Sequence, residues 1–410
     1  MVGSPFPALS GGGFRARGSL IEYSLRGFEP ILILPYDEGI FTNLEPLSKE
    51  LAELKKFGVR FGGIAKAPSF SHKSPFLKRT LKKIEMRFAY SPKVSLKDEN
   101  IRGIISLHEC ENSIITAYKL AAEMGVKKLA ILQLPPFYGD RRRRRNLERA
   151  WKIWTKVIYG VKTYTYNRIL RKFTDMDFVL KRILSKFDLL ISVSKSIPLE
   201  MGCYWSNMAV LNPGIGFTEA ELRLIRSLRH NIKHKRRNLV IFSARLVAEK
   251  GVLDALYVIS RAIKRFNNLR LLIAGRGSGL VISQIRKLAK RLNIEKAVRF
   301  LGYISKDELL RLKAESYVMI YPSHADSISF SVLETLALGT PVLAYDIPAL
   351  KINYSDYDGI TLVKEFDIDA MSEMLVNLLN NPPQKVSMPE WRWEDAIGRE
   401  IELISKCLST

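Results

Sequence analysis

The residues best suited to chemistry lie in the second half of the chain. In Tyr321-Pro322-Ser323-His324-Ala325-Asp326-Ser327-Ile328-Ser329-Phe330-Ser331-Val332-Leu333-Glu334, two carboxylates stand eight residues apart around the start of a helical pattern. The first falls in a loop and the second on the helix. A carboxylate can accept from both hydroxyls of a ribose or sugar, while helix N-terminal N–H groups, here around Ser329 and Phe330, can face phosphates. Arg245 and Lys250 follow an apolar strand, Leu239–Ser243, and precede Gly251. Two cations at the carboxyl end of a buried strand suit a diphosphate. The plain alternatives are a surface helix for the carboxylates and a solvated turn for the cations, since lysine is usually exposed.

Gly275-Arg276-Gly277-Ser278-Gly279 sits between a strand and a helix, where a phosphate could meet free backbone N–H groups. A dinucleotide fingerprint is disfavoured. Its third glycine comes one position early, and Glu295, 20 residues on, precedes a strand instead of ending one. A tight strand–helix turn is the competing reading.

These residues need a frame, and the chain supplies a regular one. From residue 238 onward, short apolar runs alternate with amphipathic stretches: Leu239–Ser243, Arg270–Ala274, Val298–Leu301, Tyr317–Ile320 and Pro341–Ala344 are separated by helical patterns. Near-continuous apolar strands between helices predict a parallel sheet covered on both faces. The first half repeats the grammar with strands expected at Pro30–Leu34, Ile104–Leu107, Leu129–Leu132, Asp188–Val193 and Met208–Leu211. At 410 residues the chain is too long for one core and suits two α/β domains. The expected boundaries are a first domain at 1–220, a basic linker at 221–238, a second domain at 239–385, and a last helix at 386–410 packing back on the first. Ligands of such sheets bind at the carboxyl ends of the strands.

Composition narrows the partners. Lys and Arg number 65 against 41 Asp and Glu, a net charge of +24. Such an excess calls for an anionic partner: nucleic acid, a phosphorylated substrate or an acidic lipid surface. Between Arg141 and Lys186 there are 15 basic and 3 acidic residues, interleaved with Trp151, Trp154, Tyr159, Tyr164 and Tyr166. Cations with interfacial aromatics fit an anionic membrane surface. Single-stranded nucleic acid and an ordinary solvated basic helix remain open. No apolar run approaches the ~18 residues of a membrane span. Cys110, Cys203 and Cys407 are far apart, which argues against a disulfide framework or a zinc site and makes a reducing cytoplasm the expected compartment. Asp175-Met176-Asp177 and the His230/His234 spacing are weak metal signals in basic, helical surroundings.

Taken in order, Arg245-Leu246…Lys250-Gly251, Gly275-Arg276-Gly277, Arg299-Phe300-Leu301-Gly302, Pro322-Ser323, Asp326…Glu334 and Gly339-Thr340-Pro341-Val342 resemble the donor domain of retaining family-4 glycosyltransferases of GT-B architecture. That family includes phosphatidylinositol mannosyltransferase-type enzymes. The resemblance covers residues 239–363. It implies two Rossmann-like domains facing across a cleft and transfer of a sugar from a nucleotide-diphosphate donor, with no metal and no resident cofactor. By position, it implies Arg245 and Lys250 at the donor diphosphate, Glu334 at the ribose, Asp326 at the transferred sugar, and Gly277, Ser329 and Phe330 at the nucleotide. Asp326 stands where the family has Glu, and Ser329 where it commonly has Gly.

In the first half, Ser10-Gly11-Gly12-Gly13 resembles the family's first glycine loop, which implies donor contacts at Gly11 and Gly12. Ile105-Ser106-Leu107-His108-Glu109 resembles its strand ending in His. Gln133 occupies the place where many relatives have a second His. Only ten residues precede the glycines, and Met1–Ser10 holds two prolines and a glycine. The expectation is a truncated start, a stub of two or three residues beside Pro30–Leu34, with neighbouring apolar side chains left exposed. The implied function is sugar transfer to a lipid-linked or glycan acceptor, in the cytoplasm or peripherally on the inner face of the membrane, with nucleic acid the less favoured partner. The rival is a catalytically impaired GT-B protein that binds a nucleotide or anionic polymer.

Overall fold

A computed structural model describes residues 1–3, 11–35, 44–65, 91–92, 94, 96, 100–161, 163, 165, 177–232 and 235–410. Ser10, Asp175, Met176 and His234 lie outside them. The chain forms two compact units: Met1–Asp140 with Asn167–Ile215 and Glu394–Thr410, and Arg141–Tyr166 with Gly216–Trp393.

The first unit is a parallel sheet of β1 (Ile31–Pro35), β2 (Arg60–Ala65), β3 (Gly103–Ser106), β4 (Lys127–Leu132), β5 (Leu189–Ser192) and β6 (Met208–Val210). β1 pairs with β2, and β3 to β6 pair in sequence. Val2 joins the two groups, bridging in parallel to Ile33 on one side and Ser106 on the other. The Val2 N–H donates to Ile105 O at 2.7 Å, and the Ile33 N–H donates to Met1 O at 2.8 Å. Counted with this stub first, the strand order is 3-2-1-4-5-6-7, the doubly wound arrangement whose switch point lies between the stub and β3.

The expected stub is therefore present, but its neighbours are not exposed. Val2 is fully buried in a cluster with Ile31, Ile33, Ala65, Ile104 and Ala117, because pairing on both edges draws it into the sheet centre. A second departure concerns the glycines. Gly11, Gly12 and Gly13 are not a loop but the first turn of the helix Gly11–Leu25. β2 was missed because two glycines and an exposed first half disguise an edge strand.

The second unit contains β7 (Arg236–Ser243), β8 (Arg270–Ala274), β9 (Val298–Gly302), β10 (Ser316–Tyr321), β11 (Val342–Tyr345) and β12 (Ile360–Val363). They pair in parallel in the order β12-β11-β10-β7-β8-β9. Within the unit this is again 3-2-1-4-5-6, with the switch point between β7 and β10. Val240, Ile241, Met319, Ile320, Val342 and Leu343 have no exposed surface, as expected of strands covered on both faces.

Two boundaries differ from the sequence expectation. Most of the expected linker 221–238 lies in regular elements of the second unit: Thr218 and Glu221 form a capping box on the helix Glu219–Asn231, and β7 begins at Arg236. The helix Arg141–Ile158 groups with the second unit, not the first, because its apolar stripe of Leu147, Ala150, Trp154 and Ile158 is buried there. The helix Trp393–Ser409 groups from Glu394 onward with the first unit, where the buried Glu400 carboxylate takes donors from Arg15, Ser19 and Tyr23 of the helix Gly11–Leu25.

Candidate functional site

The chain leaves β7 at Ser243 and passes through a short 3₁₀ turn, Ala248–Lys250, into the helix Val252–Ala262. Gly251 makes that path feasible. Its φ is +69°, and a Cβ there would lie 1.8 Å from Pro322 O, so the turn presses against the end of β10. Gly275 is under a similar constraint, with a Cβ placed 1.8 Å from Ala244 O. The strand ends on both sides of the switch point are thus held at backbone contact.

Lys250 and Asp326 meet there. Lys250 Nζ lies 2.9 Å from Asp326 Oδ2 and donates to Ala325 O at 3.0 Å. The Tyr321 phenol donates to the same Asp326 oxygen at 2.6 Å, and Ser329 Oγ donates to the phenol at 3.1 Å. Asp326 Oδ1 takes the Ser327 N–H at 3.1 Å. Burial pulls the Lys250 ammonium downward, but the Asp326 carboxylate and Tyr321 more than offset it, and its pKa moves up. Burial, then Asp326, pushes Tyr321 up to about 12. A lysine and an aspartate side chain thus share one buried corner.

Ser329 also caps the helix Phe330–Ala337, its hydroxyl accepting from Val332 N at 3.4 Å. Ser331 Oγ donates to Ser243 O at 2.8 Å, tying this helix to the end of β7. Glu334, one turn further on, is buried. Its Oε2 receives Lys313 Nζ at 2.6 Å, and its Oε1 lies 3.8 Å from Lys306 Nζ. Arg245 is exposed just beyond β7. Gly277 lies in the turn after β8, where a Cβ would come 3.0 Å from Leu246 Cβ. Arg245, Lys250, Gly277, Asp326, Ser329, Phe330 and Glu334 therefore all belong to turns and a helix at the carboxyl edge of one sheet.

Gly11 and Gly12 belong to the other unit. A Cβ on Gly12 would lie 3.1 Å from Gln133 Oε1 and 3.7 Å from His108 Cε1, so the first helical turn fits closely against the ends of β3 and β4. Gln133 Nε2 donates to Leu107 O at 2.8 Å and lies 3.3 Å from His108 Nδ1.

Sequence reasoning missed a buried network behind Asp326. His324 Nδ1 lies 2.8 Å from Glu365 Oε1 and Nε2 lies 3.1 Å from Asp254 Oδ2. With a carboxylate at each nitrogen, the protonated ring can donate from both, which favours the imidazolium. Burial lowers its pKa, yet the bonds to Asp254 and Glu365 outweigh this and raise it above 6.5. Arg143 pairs with Glu365 at 2.8 Å and donates to the His324 carbonyl. Lys313 was missed too, although Leu310, Lys313 and Ala314 share one buried helical stripe, and a lysine on such a stripe is a readable signal.

Comparison with known proteins follows the same division. Residues 226–390 match the family described as Glycosyl transferases group 1. A D-inositol 3-phosphate glycosyltransferase of Corynebacterium urealyticum is 29% identical over 215 residues, 48% of this chain and 51% of that protein. A GDP-mannose-dependent monoacylated alpha-(1-6)-phosphatidylinositol monomannoside mannosyltransferase of Corynebacterium glutamicum is 26% identical, over 38% of this chain and 44% of that one. The chain thus spans about half the length of the curated relatives it matches. HepE of Anabaena, solved in complex with UDP and glucose, superposes with a TM-score of 0.63 at 13% identity, covering 98% of each chain. With both sheets in doubly wound order, the chain has the GT-B fold, and its residues 226–390 resemble the glycosyl transferases group 1 family.

Proposed function

We propose that this protein transfers a sugar, with retention, from a nucleotide-diphosphate sugar to a lipid-linked acceptor at an anionic membrane surface. The second unit binds the donor and the first the acceptor. The carrying observation is the pair of cation–carboxylate contacts, Lys250–Asp326 and Lys313–Glu334, on either side of one loop–helix junction at the switch point. A nucleotide sugar presents an anionic diphosphate and hydroxyls, which call for cations and acceptors. The names of the relatives and the UDP–glucose complex of HepE support the same class.

In this reading Glu334 accepts from the ribose, while Arg245, Lys250 and the backbone at Ser329, Phe330 and Gly277 face the diphosphate. Asp326 faces the transferred sugar, and Gly11 and Gly12 are proposed as ligand contacts at the first unit's strand ends. The acceptor oxygen attacks the anomeric carbon on the side from which the diphosphate leaves. The anomeric C–O bond breaks with its electrons going to the diphosphate, and the acceptor proton passes to a phosphate oxygen. Arg245 and Lys250 stabilise the charge that develops. The proposal uses no metal and no resident cofactor, so chelation with EDTA is expected to leave the rate unchanged.

The membrane part rests on the helix Arg141–Ile158. Arg141, Arg142, Arg144 and Arg145 are exposed, and Trp151 is 46% exposed, whereas Trp154 is buried. Among the described residues no helix is long and apolar enough to cross a membrane, and the placement proposed is peripheral, on the cytoplasmic face. Binding to anionic vesicles is expected to weaken with salt. Equal affinity for neutral vesicles would reject this part, and tighter binding to single-stranded nucleic acid would replace it.

The deciding experiment is a panel of UDP-, GDP- and ADP-sugars incubated with the protein and lipid-linked acceptors. Transfer with the anomeric configuration kept supports the proposal. A second reading, a catalytically impaired protein that binds a nucleotide or anionic polymer, is favoured by one observation: both Asp326 oxygens are already engaged within the protein. Nucleotide binding without turnover of any donor would select it.

A further inference from the structure

Lys313 has no exposed side-chain surface. It lies on the helix Lys306–Glu315 with Leu310 and Ala314, on the stripe buried in the unit. An apolar residue would fill this position at less cost, since each buried ion loses several kcal/mol of hydration. The ammonium is held instead by Glu334 Oε2 at 2.6 Å, with Ser331 O at 3.4 Å. On the outer side of the same carboxylate, Lys306 Nζ lies 3.8 Å from Oε1 and is itself tied to Glu221. Glu221 in turn accepts from the Thr218 N–H at 2.8 Å, in the capping box of the helix Glu219–Asn231. Two carboxylates and two ammonium groups alternate in this row, so it is neutral as a whole.

We infer that Lys313 is a positioning residue that fixes the Glu334 carboxylate for recognition of the two ribose hydroxyls, making the site selective for ribonucleotides over 2′-deoxyribonucleotides. The inference rests on the nucleotide-sugar reading above. A carboxylate oxygen offers more than one acceptor site, so Oε2 can hold Lys313 and still accept a ribose hydroxyl. Without Lys313 the carboxylate loses the partner that fixes its rotamer. It is then free to turn toward Lys306. A diol needs both oxygens in one orientation, whereas a single hydroxyl tolerates rotation, so the loss falls mainly on the 2′-hydroxyl contribution.

The test is the ratio of dissociation constants for a 2′-deoxynucleoside diphosphate and its ribonucleotide. UDP, GDP and ADP are measured against their deoxy forms. The unaltered protein is expected to prefer the ribonucleotide by ~10-fold or more, the scale of a hydrogen bond to a charged group. Lys313→Met, close in volume, is expected to bring the ratio within ~3-fold of unity, mostly by weakening the ribonucleotide. A Lys313→Met protein that melts lower but keeps the wild-type ratio would make Lys313 merely structural and overturn the inference.

A second measurement needs no variant. Burial pulls the Lys313 ammonium below its ordinary 10.5, with Glu334 opposing and Lys306 adding to the shift. The ratio in the unaltered protein is therefore expected to fall as this ammonium deprotonates, at a pH below its ordinary range. Ionisation of the base acts on both nucleotides alike and cancels. If the unaltered protein binds none of the three ribonucleotides, the nucleotide-sugar reading falls with it. If it binds them and only the ratio is insensitive, that reading stands and this inference alone fails.

Discussion

Lys250 Nζ and Asp326 Oδ2 lie 2.9 Å apart, with side chains only 12% and 9% exposed. The ammonium is therefore largely desolvated at the carboxyl edge of the sheet, where the proposed mechanism puts the donor diphosphate. Lys250→Met is expected to lower transfer by ~100-fold or more, the scale for losing one charge-stabilising donor. Steady-state rates measured well below the melting temperature check this. Unchanged kinetics would remove Lys250 from the mechanism.

Ser329 does two jobs that the glycine common in the resembling family cannot. Its hydroxyl caps the helix Phe330–Ala337 through Val332 N and donates to Tyr321. Ser329→Ala is expected to cost about 1 kcal/mol of unfolding free energy, as for other lost caps. Urea titration reads the change, and a variant as stable as the parent would deny the cap its role. Ser329→Gly is expected to widen the range of donors turned over, because it clears the backbone approach. An unchanged donor profile would count against that.

How legible all this was depends on the kind of signal. The strands of the second unit were legible because Leu239–Ser243 and Arg270–Ala274 are unbroken apolar runs between helical periods. The placement of Arg245, Lys250, Asp326 and Glu334 at strand ends was legible because order and spacing survive along a chain. What escaped were relationships made by folding. Gly11–Gly13 read as a loop through their resemblance to a family glycine loop, yet they open the helix Gly11–Leu25. Residues 141–158 read as part of the first domain because they precede its last strands, but their buried stripe belongs to the second unit. Lys313 and His324 gained meaning only when Glu334, Asp254 and Glu365 came to face them from distant positions.

The His324 network predicts a pH dependence of stability. Asp254 and Glu365 face the ring from two elements, Arg143 holds Glu365 and the His324 carbonyl, and the Tyr345 phenol donates to Asp254 at 2.8 Å. The folded-state pKa of His324 is raised above the ordinary 6.5. Its contribution is thus fully present below about pH 6.5 and is lost as pH rises through the folded value. The melting temperature of the unaltered protein is expected to fall across that window, and that of His324→Gln to fall less. Parallel curves for the two proteins would show that His324 does not carry the dependence.

Glu400 offers the sharpest stability test in the first unit. It has no exposed surface, and its carboxylate takes donors from Arg15, Ser19 and Tyr23. Arg15 also donates from Nε to Gly214 O at 2.9 Å. One carboxylate therefore joins the helix Gly11–Leu25, which begins with Gly11 and Gly12, to the C-terminal helix. Glu400→Ala strands the Arg15 guanidinium in a buried site, and breaking a buried pair from one side costs about 3–5 kcal/mol. Replacing both partners, as in Arg15→Met with Glu400→Leu, removes the stranded charge and is expected to recover most of that loss. Urea titrations of the two single variants and the double variant decide the matter. A double variant no more stable than Glu400→Ala would mean that the hydrogen bonds to Ser19, Tyr23 and Gly214, and not the paired charges, hold the last helix in place.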